Sequence, residues 1–119
     1  SAAVRAVIER ANHKRLAALW DIMHPMRKQE SPLEAFTNLG PHTRHVHIHD
    51  AVYTEEGKLK ITPLGEGLFD HVESIHLLLK NGYDGYYSME VIQQRGKQED
   101  SDGVMQQHAE KIREIVEQA

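Results

Sequence analysis

Residues 43–50 read TRHVHIHD, with histidines at 45, 47 and 49 and the aliphatics Val46 and Ile48 between them. In an extended strand successive side chains point to opposite faces, so this spacing puts three imidazoles on one face and two aliphatics on the other. Such a strand packs its apolar side under a helix and turns its imidazoles toward a polar interior. The segments on either side of it say which fold supplies that arrangement.

Upstream, SPLEAFTNLG (residues 31–40) carries a full set of helix end signals. Ser31 is an N-cap, Pro32 stands at N1, Glu34 closes a capping box and Gly40 is the stop. Before it, LAALWDI (16–22) is an apolar run of the kind a strand covered on both faces shows. The first fifteen residues place Val4, Ile8 and Ala11 at helical spacing. Downstream, residues 51–69 are turn-rich and predict the longest connection. DHVESIHLLLKNG (70–82) repeats the helix grammar with Asp70 as N-cap, Glu73 at N3 and Gly82 as the stop. YYSMEVI (86–92) predicts a third strand. After a polar loop, a last helix is expected over about 104–117, with Met105, Ala109, Ile112 and Val116 on its apolar face.

The order α-β-α-β-α-β-α implies parallel βα units with right-handed crossovers in one α/β domain spanning residues 1–119. Three parallel strands leave two open edges. The expectation is therefore either part of a larger α/β fold or assembly with another copy. The chain also opens SAAVRAVIER without a methionine, which raises the expectation of a longer parent.

Composition narrows the function classes. With 39% hydrophobic and 27% charged residues, the 119-residue chain has the balance of a folded soluble domain. A net charge of −4 with scattered Lys and Arg gives no nucleic-acid footprint. No cysteine is present, so disulfides and thiolate metal sites are excluded and a cytoplasmic location is expected. No apolar run approaches the ~20 residues of a membrane span.

In parallel α/β folds, ligands sit beyond the carboxyl ends of the strands. The first strand exits at Asp21 and His24, the second at His47, His49 and Asp50, and the third at Glu90. If Asp21, His47 and Glu90 face inward, Trp20, Ile22, Val46, Ile48, Met89 and Val91 face the helices. Two carboxylates and an imidazole on one rim suit a divalent metal with open positions: Mn²⁺, Mg²⁺, Co²⁺ or catalytic Zn²⁺.

DIMH, HVHIHD, PLGEG and YDGYYSMEV occur in the order and approximate spacing of the C-terminal part of xylose isomerase-like TIM barrels. The chain resembles that family over roughly residues 16–116, about the last three βα units of an eight-unit barrel. The family includes sugar and sugar-phosphate isomerases and epimerases and shares its fold with AP endonucleases. By this resemblance Asp21, His47 and Glu90 would ligate the metal, with Glu90 also an acid/base catalyst. His24, His49 and Glu66 would be on the substrate side of the site, the histidines contacting a small sugar and Glu66 also ordering the adjacent turn. A further glutamate comes from an earlier strand that lies outside this sequence. The reaction implied is proton transfer next to a carbonyl through a metal-stabilised enediolate.

The nuclease branch ranks behind this reading. Its D-x-H pair before the glycine turn falls here on Leu59 and Ile61, which bind no metal. One departure bears on the sugar branch, because some ketose epimerases place an arginine where this chain has Tyr53. The competing reading is a truncated, non-catalytic relative that binds a metal or ligand. Expected partners are the N-terminal half of a barrel or a second copy, with no nucleic acid and no membrane. His45 is expected as an interior group. His13, His42, His71, His76 and His108 are read as structural or solvent-facing.

Overall fold

A computed structural model of the chain describes residues 1–90 and 101–119. Five helices and five strands run in the order α1 (Ala2–Ala11), β1 (Ala18–Asp21), α2 (Met23–Arg27), α3 (Pro32–Leu39), a 3-10 turn, β2 (Thr43–Ile48), β3 (Asp50–Tyr53), β4 (Leu59–Thr62), α4 (His71–Lys80), β5 (Tyr86–Met89) and α5 (Ser101–Gln118). Strands β1, β2 and β5 form the expected parallel sheet with β2 in the middle. Expectations at Val91, Ile92 and the loop through residue 100 lie outside the described residues.

Alternation decides how the sheet is covered. Trp20 and Ile22, together with Val46 and Ile48 of β2, are almost fully buried. They form one core with Ile8 of α1, Ala35 and Leu39 of α3, Ile75 and Leu78 of α4, and Ile115 of α5. The Trp20 indole meets the Phe36 ring at 6.4 Å between centroids. The opposite face carries Leu19, His45 and Tyr86 in one row and Asp21, His47 and Ser88 in the next. Leu19 is 50% exposed and Tyr86 81% exposed, so this inward face has no covering layer among the described residues.

The capping box of α3 is complete: the Glu34 amide donates to Ser31 Oγ, and the Ser31 amide donates to the Glu34 carboxylate. Replacing Ser31 by Ala removes the Oγ acceptor of the Glu34 amide and the Oγ–Glu34 carboxylate bond, while the residue-31 amide can still donate to Glu34. The substitution is expected to cost about 1 kcal/mol, read as a lower urea midpoint with an unchanged slope. Gly40 does not end the helix in a left-handed conformation; it continues right-handed into the 3-10 turn Gly40–His42. A Cβ there would stand 2.4 Å from the Phe36 ring, so close packing is what requires glycine at this place.

Three elements differ from expectation. The connection after β2 folds as an antiparallel hairpin, β3 with β4, turning at Gly57 with φ +74°. A short helix, α2, follows β1 directly, with Pro25 tolerated inside its first turn. In α5, among the described side chains, His108 and Ile115 are buried, while Met105 is 49% exposed. Ile112 and Val116 pack against the core as expected, with His108 and Ile115 buried beside them, so the departure from the expected face is at Met105.

Candidate metal centre

The residues at the carboxyl ends of β1, β2 and β5 share one rim because the parallel register aligns them. Asp21 sits beside His47, which sits beside Ser88, and the chain then carries Glu90 past the end of β5. The Glu90 amide donates to the Ile48 carbonyl, extending the pairing up to the rim. One ligand-type atom from each of Asp21, His47 and Glu90 lies within 4.8 Å of the others. A second set, Asp21, His24 and His49, meets the same criterion and shares Asp21.

Asp21 is the hub of both sets and is only 11% exposed. Burial by itself would raise its pKa, but the His49 hydrogen bond and the charges of His49 and His24 outweigh burial. They hold the carboxyl below its ordinary value. Its Oδ1 accepts the Met23 amide at 3.1 Å, so the first turn of α2 orients it. His24 Nε2 stands 3.4 Å from Asp21 Oδ2 on the exposed side. His49 Nε2 is 3.1 Å from each Asp21 oxygen, and this pairing raises the His49 pKa against the effect of burial. Glu90 Oε2 lies 3.8 Å from His47 Nδ1 and 3.7 Å from His49 Nδ1. His45, one layer below, shares a 2.8 Å hydrogen bond with Ser88 Oγ.

The donor set fits a hard or borderline divalent cation. Metal–ligand bonds of about 2.0–2.2 Å place donor atoms roughly 3–3.5 Å apart, so modest rotamer changes close the Asp21, His47 and Glu90 set. Carboxylate and imidazole donors without thiolate suit Mn²⁺, Co²⁺ or Zn²⁺.

Of the six site residues expected from sequence, five converge here: Asp21, His24, His47, His49 and Glu90. Glu66 does not; it is exposed, with its amide donating to the Pro63 carbonyl. The turn it belongs to is organised instead by Asp50. The Asp50 carboxylate accepts the amides of Ala51, Gly65 and Gly67 at 2.9–3.0 Å and that of Phe69 at 3.4 Å. Leu59 and Ile61, at the nuclease-type positions, lie on β4 opposite Tyr53 and Ala51 and offer no donor.

A family model described as a xylose isomerase-like TIM barrel matches residues 2–115. The chain belongs to this family. Two solved structures share the fold. A xylose isomerase domain protein from Alicyclobacillus acidocaldarius subsp. acidocaldarius superposes with a TM-score of 0.80 at 20% identity, over 99% of this chain and 43% of that one. A xylose isomerase domain protein from Planctomyces limnophilus gives 0.74 at 19% identity, over 97% and 41%. The chain thus spans about two fifths of the length of each of these neighbours. No curated protein matches it in sequence. No helix among the described residues is long and apolar enough to cross a membrane.

His71, read from sequence as structural or solvent-facing, is buried behind this barrel rim. It is 3% exposed and its Nε2–H donates to the His49 carbonyl at 3.1 Å. Burial depresses its pKa, against the pull of the Asp50 charge. The unfolded chain therefore takes up a proton that the folded state refuses. The stability contributed by neutral His71 is full above the unfolded value of about 6.5 and declines as pH falls below it. His49, with a raised pKa, works in the opposite direction, so its contribution declines as pH rises. The informative comparison is between the native chain and His71→Gln. The native chain should lose more of its urea midpoint between pH 7.5 and 5.5 than the variant does.

Proposed function

We propose that the chain forms the C-terminal part of a divalent-metal-dependent isomerase or epimerase acting on a sugar or sugar phosphate in the cytoplasm. The convergence of Asp21, His47 and Glu90 from three adjacent parallel strands carries this reading. A cation held there would supply Lewis-acid stabilisation of negative charge developing beside a substrate carbonyl. Mn²⁺, Co²⁺, Mg²⁺ and Zn²⁺ are the candidates.

The chain's own residues divide the remaining work. Asp21, ionised and oriented by the Met23 amide, is a ready anionic ligand. Glu90, 42% exposed at the mouth of the site, can reach a substrate carbon-bound proton and return it. His24, 61% exposed, is placed to hydrogen-bond a substrate hydroxyl. The remaining barrel strands, in the same polypeptide or a partner, would cover Leu19 and Tyr86 and supply the opposing acid/base.

The test is solvent-deuterium incorporation next to the carbonyl of ketose substrates, followed by proton NMR on the assembled barrel with Mn²⁺. Exchange that Glu90→Gln abolishes while the metal stays bound is the expected result. Absence of both metal binding and exchange would overturn the proposal. Metal binding without exchange would favour the second reading, a non-catalytic relative.

A further inference from the structure

We propose that His49 is a positioning residue that fixes the metal ligand Asp21, and that His71 and Asp50 in turn fix His49. The inference rests on the metal-site reading above and assigns His49 a role other than ligand or substrate contact.

Accessibility is the first observation. His49 is 4% exposed, against 61% for His24 and 30% for His47, so it is walled off from a substrate at the rim. Its Nε2 faces both oxygens of an ionised carboxylate, which can only accept, so Nε2 carries the proton and donates. With the Met23 amide on Oδ1, that donor fixes the plane of the Asp21 carboxylate. The other ring nitrogen, Nδ1, is buried without a hydrogen-bond partner and faces Glu90 Oε2 at 3.7 Å. The imidazole therefore stands between the two acidic ligands with one nitrogen toward each.

The second observation is how rigidly this ring is carried. The His49 carbonyl accepts from buried His71, and the next residue, Asp50, is tied by four amides to the turn at residues 63–69. A sheet residue at a strand exit is commonly free to shift. Here its main chain is held from α4 on one side and from the glycine turn on the other. Supporting groups of this kind typically change metal affinity 10–100-fold when lost, although they touch no metal.

Zn²⁺ titration of the isotope-labelled 119-residue chain, read by long-range proton–nitrogen spectra of the histidine rings, tests the assignment. His49 is expected to keep its Nε2 proton at saturation while a His47 ring nitrogen acquires the shift of a metal-bound nitrogen. Loss of the His49 Nε2 proton to the metal would overturn the inference and leave the metal reading standing. Failure of the unsubstituted chain to bind Zn²⁺ would sink both. Competition with a chromophoric chelator for Co²⁺ gives the second readout. His49→Leu should weaken binding roughly 10–100-fold and alter the visible Co²⁺ spectrum, whereas His49→Gln, which keeps a donor near Nε2, should recover most of both. His71→Phe should shift affinity in the same direction. Native Co²⁺ affinity and spectrum in His49→Leu would refute the assignment; should that variant not fold, the ring spectra of the native chain decide.

Discussion

Replacing Asp21 with alanine is expected to abolish divalent-metal binding at the rim. The loss should exceed the 10–100-fold typical of supporting groups and reach the order of 10³-fold. Asp21 is the one residue shared by both sets of candidate ligands, so among the described residues no alternative set survives its removal. Its depressed pKa means that it binds a cation at neutral pH without first releasing a proton. Isothermal titration with Mn²⁺, or chelator competition with Co²⁺, reads the effect directly. The same experiment ranks the neighbours. His24→Ala removes an exposed group at the edge of the cluster and should change affinity far less. Glu66→Ala should leave metal affinity unchanged, because its side chain is exposed on a turn held by Asp50. Metal-free stability should also fall, since the mutation strands the buried His49 Nε2–H without its acceptor, at about 1–3 kcal/mol. Native affinity in Asp21→Ala would refute the site.

What the sequence made legible was whatever repeats on the scale of one element. The period of two in residues 43–50 placed Val46 and Ile48 in the core, and parallel pairing then brought His47 level with Asp21. The Ser31 capping box is a four-residue signal and formed as written. Signals that depend on distant partners stayed hidden. Asp50 binds amides 15 to 19 residues away, and no spacing rule connects an aspartate to a glycine turn at that separation. The His49–Asp21 pair spans 28 residues and two strands, so it exists only once the register is set. The hairpin is illegible in the sequence for another reason. Its strands are four residues each, too short for alternation to stand out, and EEGK between them reads as loop whichever way the flanks fold. In α5 the periodic apolar positions Ile112 and Val116 reach the core, whereas which of the structural and solvent-facing alternatives holds for His108 depends on what the helix packs against; it is buried.

Gly67→Ala should be among the most destabilising single substitutions in the chain, by roughly 3 kcal/mol, although it adds only a methyl group. A Cβ at residue 67 would fall 1.9 Å from Asp50 Oδ1 and 2.6 Å from the Ala51 amide nitrogen. Neither neighbour is the end of a flexible side chain. Ala51 is main chain at the start of the hairpin, and the Asp50 side chain, 1% exposed, is held by four amides. Relief requires the turn to move away from the rim, and that breaks several of those bonds together while leaving a charged carboxylate buried. The neighbouring glycine separates this steric effect from backbone strain. Gly65 has φ +87°, but the group nearest its added Cβ is the flexible Lys111 side chain. Gly65→Ala should therefore cost about 1 kcal/mol, mainly from the left-handed backbone. Thermal and urea unfolding of both variants should give the larger loss to Gly67→Ala, with its melting temperature lower by about 10 °C. Because the displaced residue follows His49 directly, Gly67→Ala should also weaken Co²⁺ binding, whereas Gly65→Ala should not. Equal stability losses in the two variants would mean that the Asp50 anchor does not hold the rim.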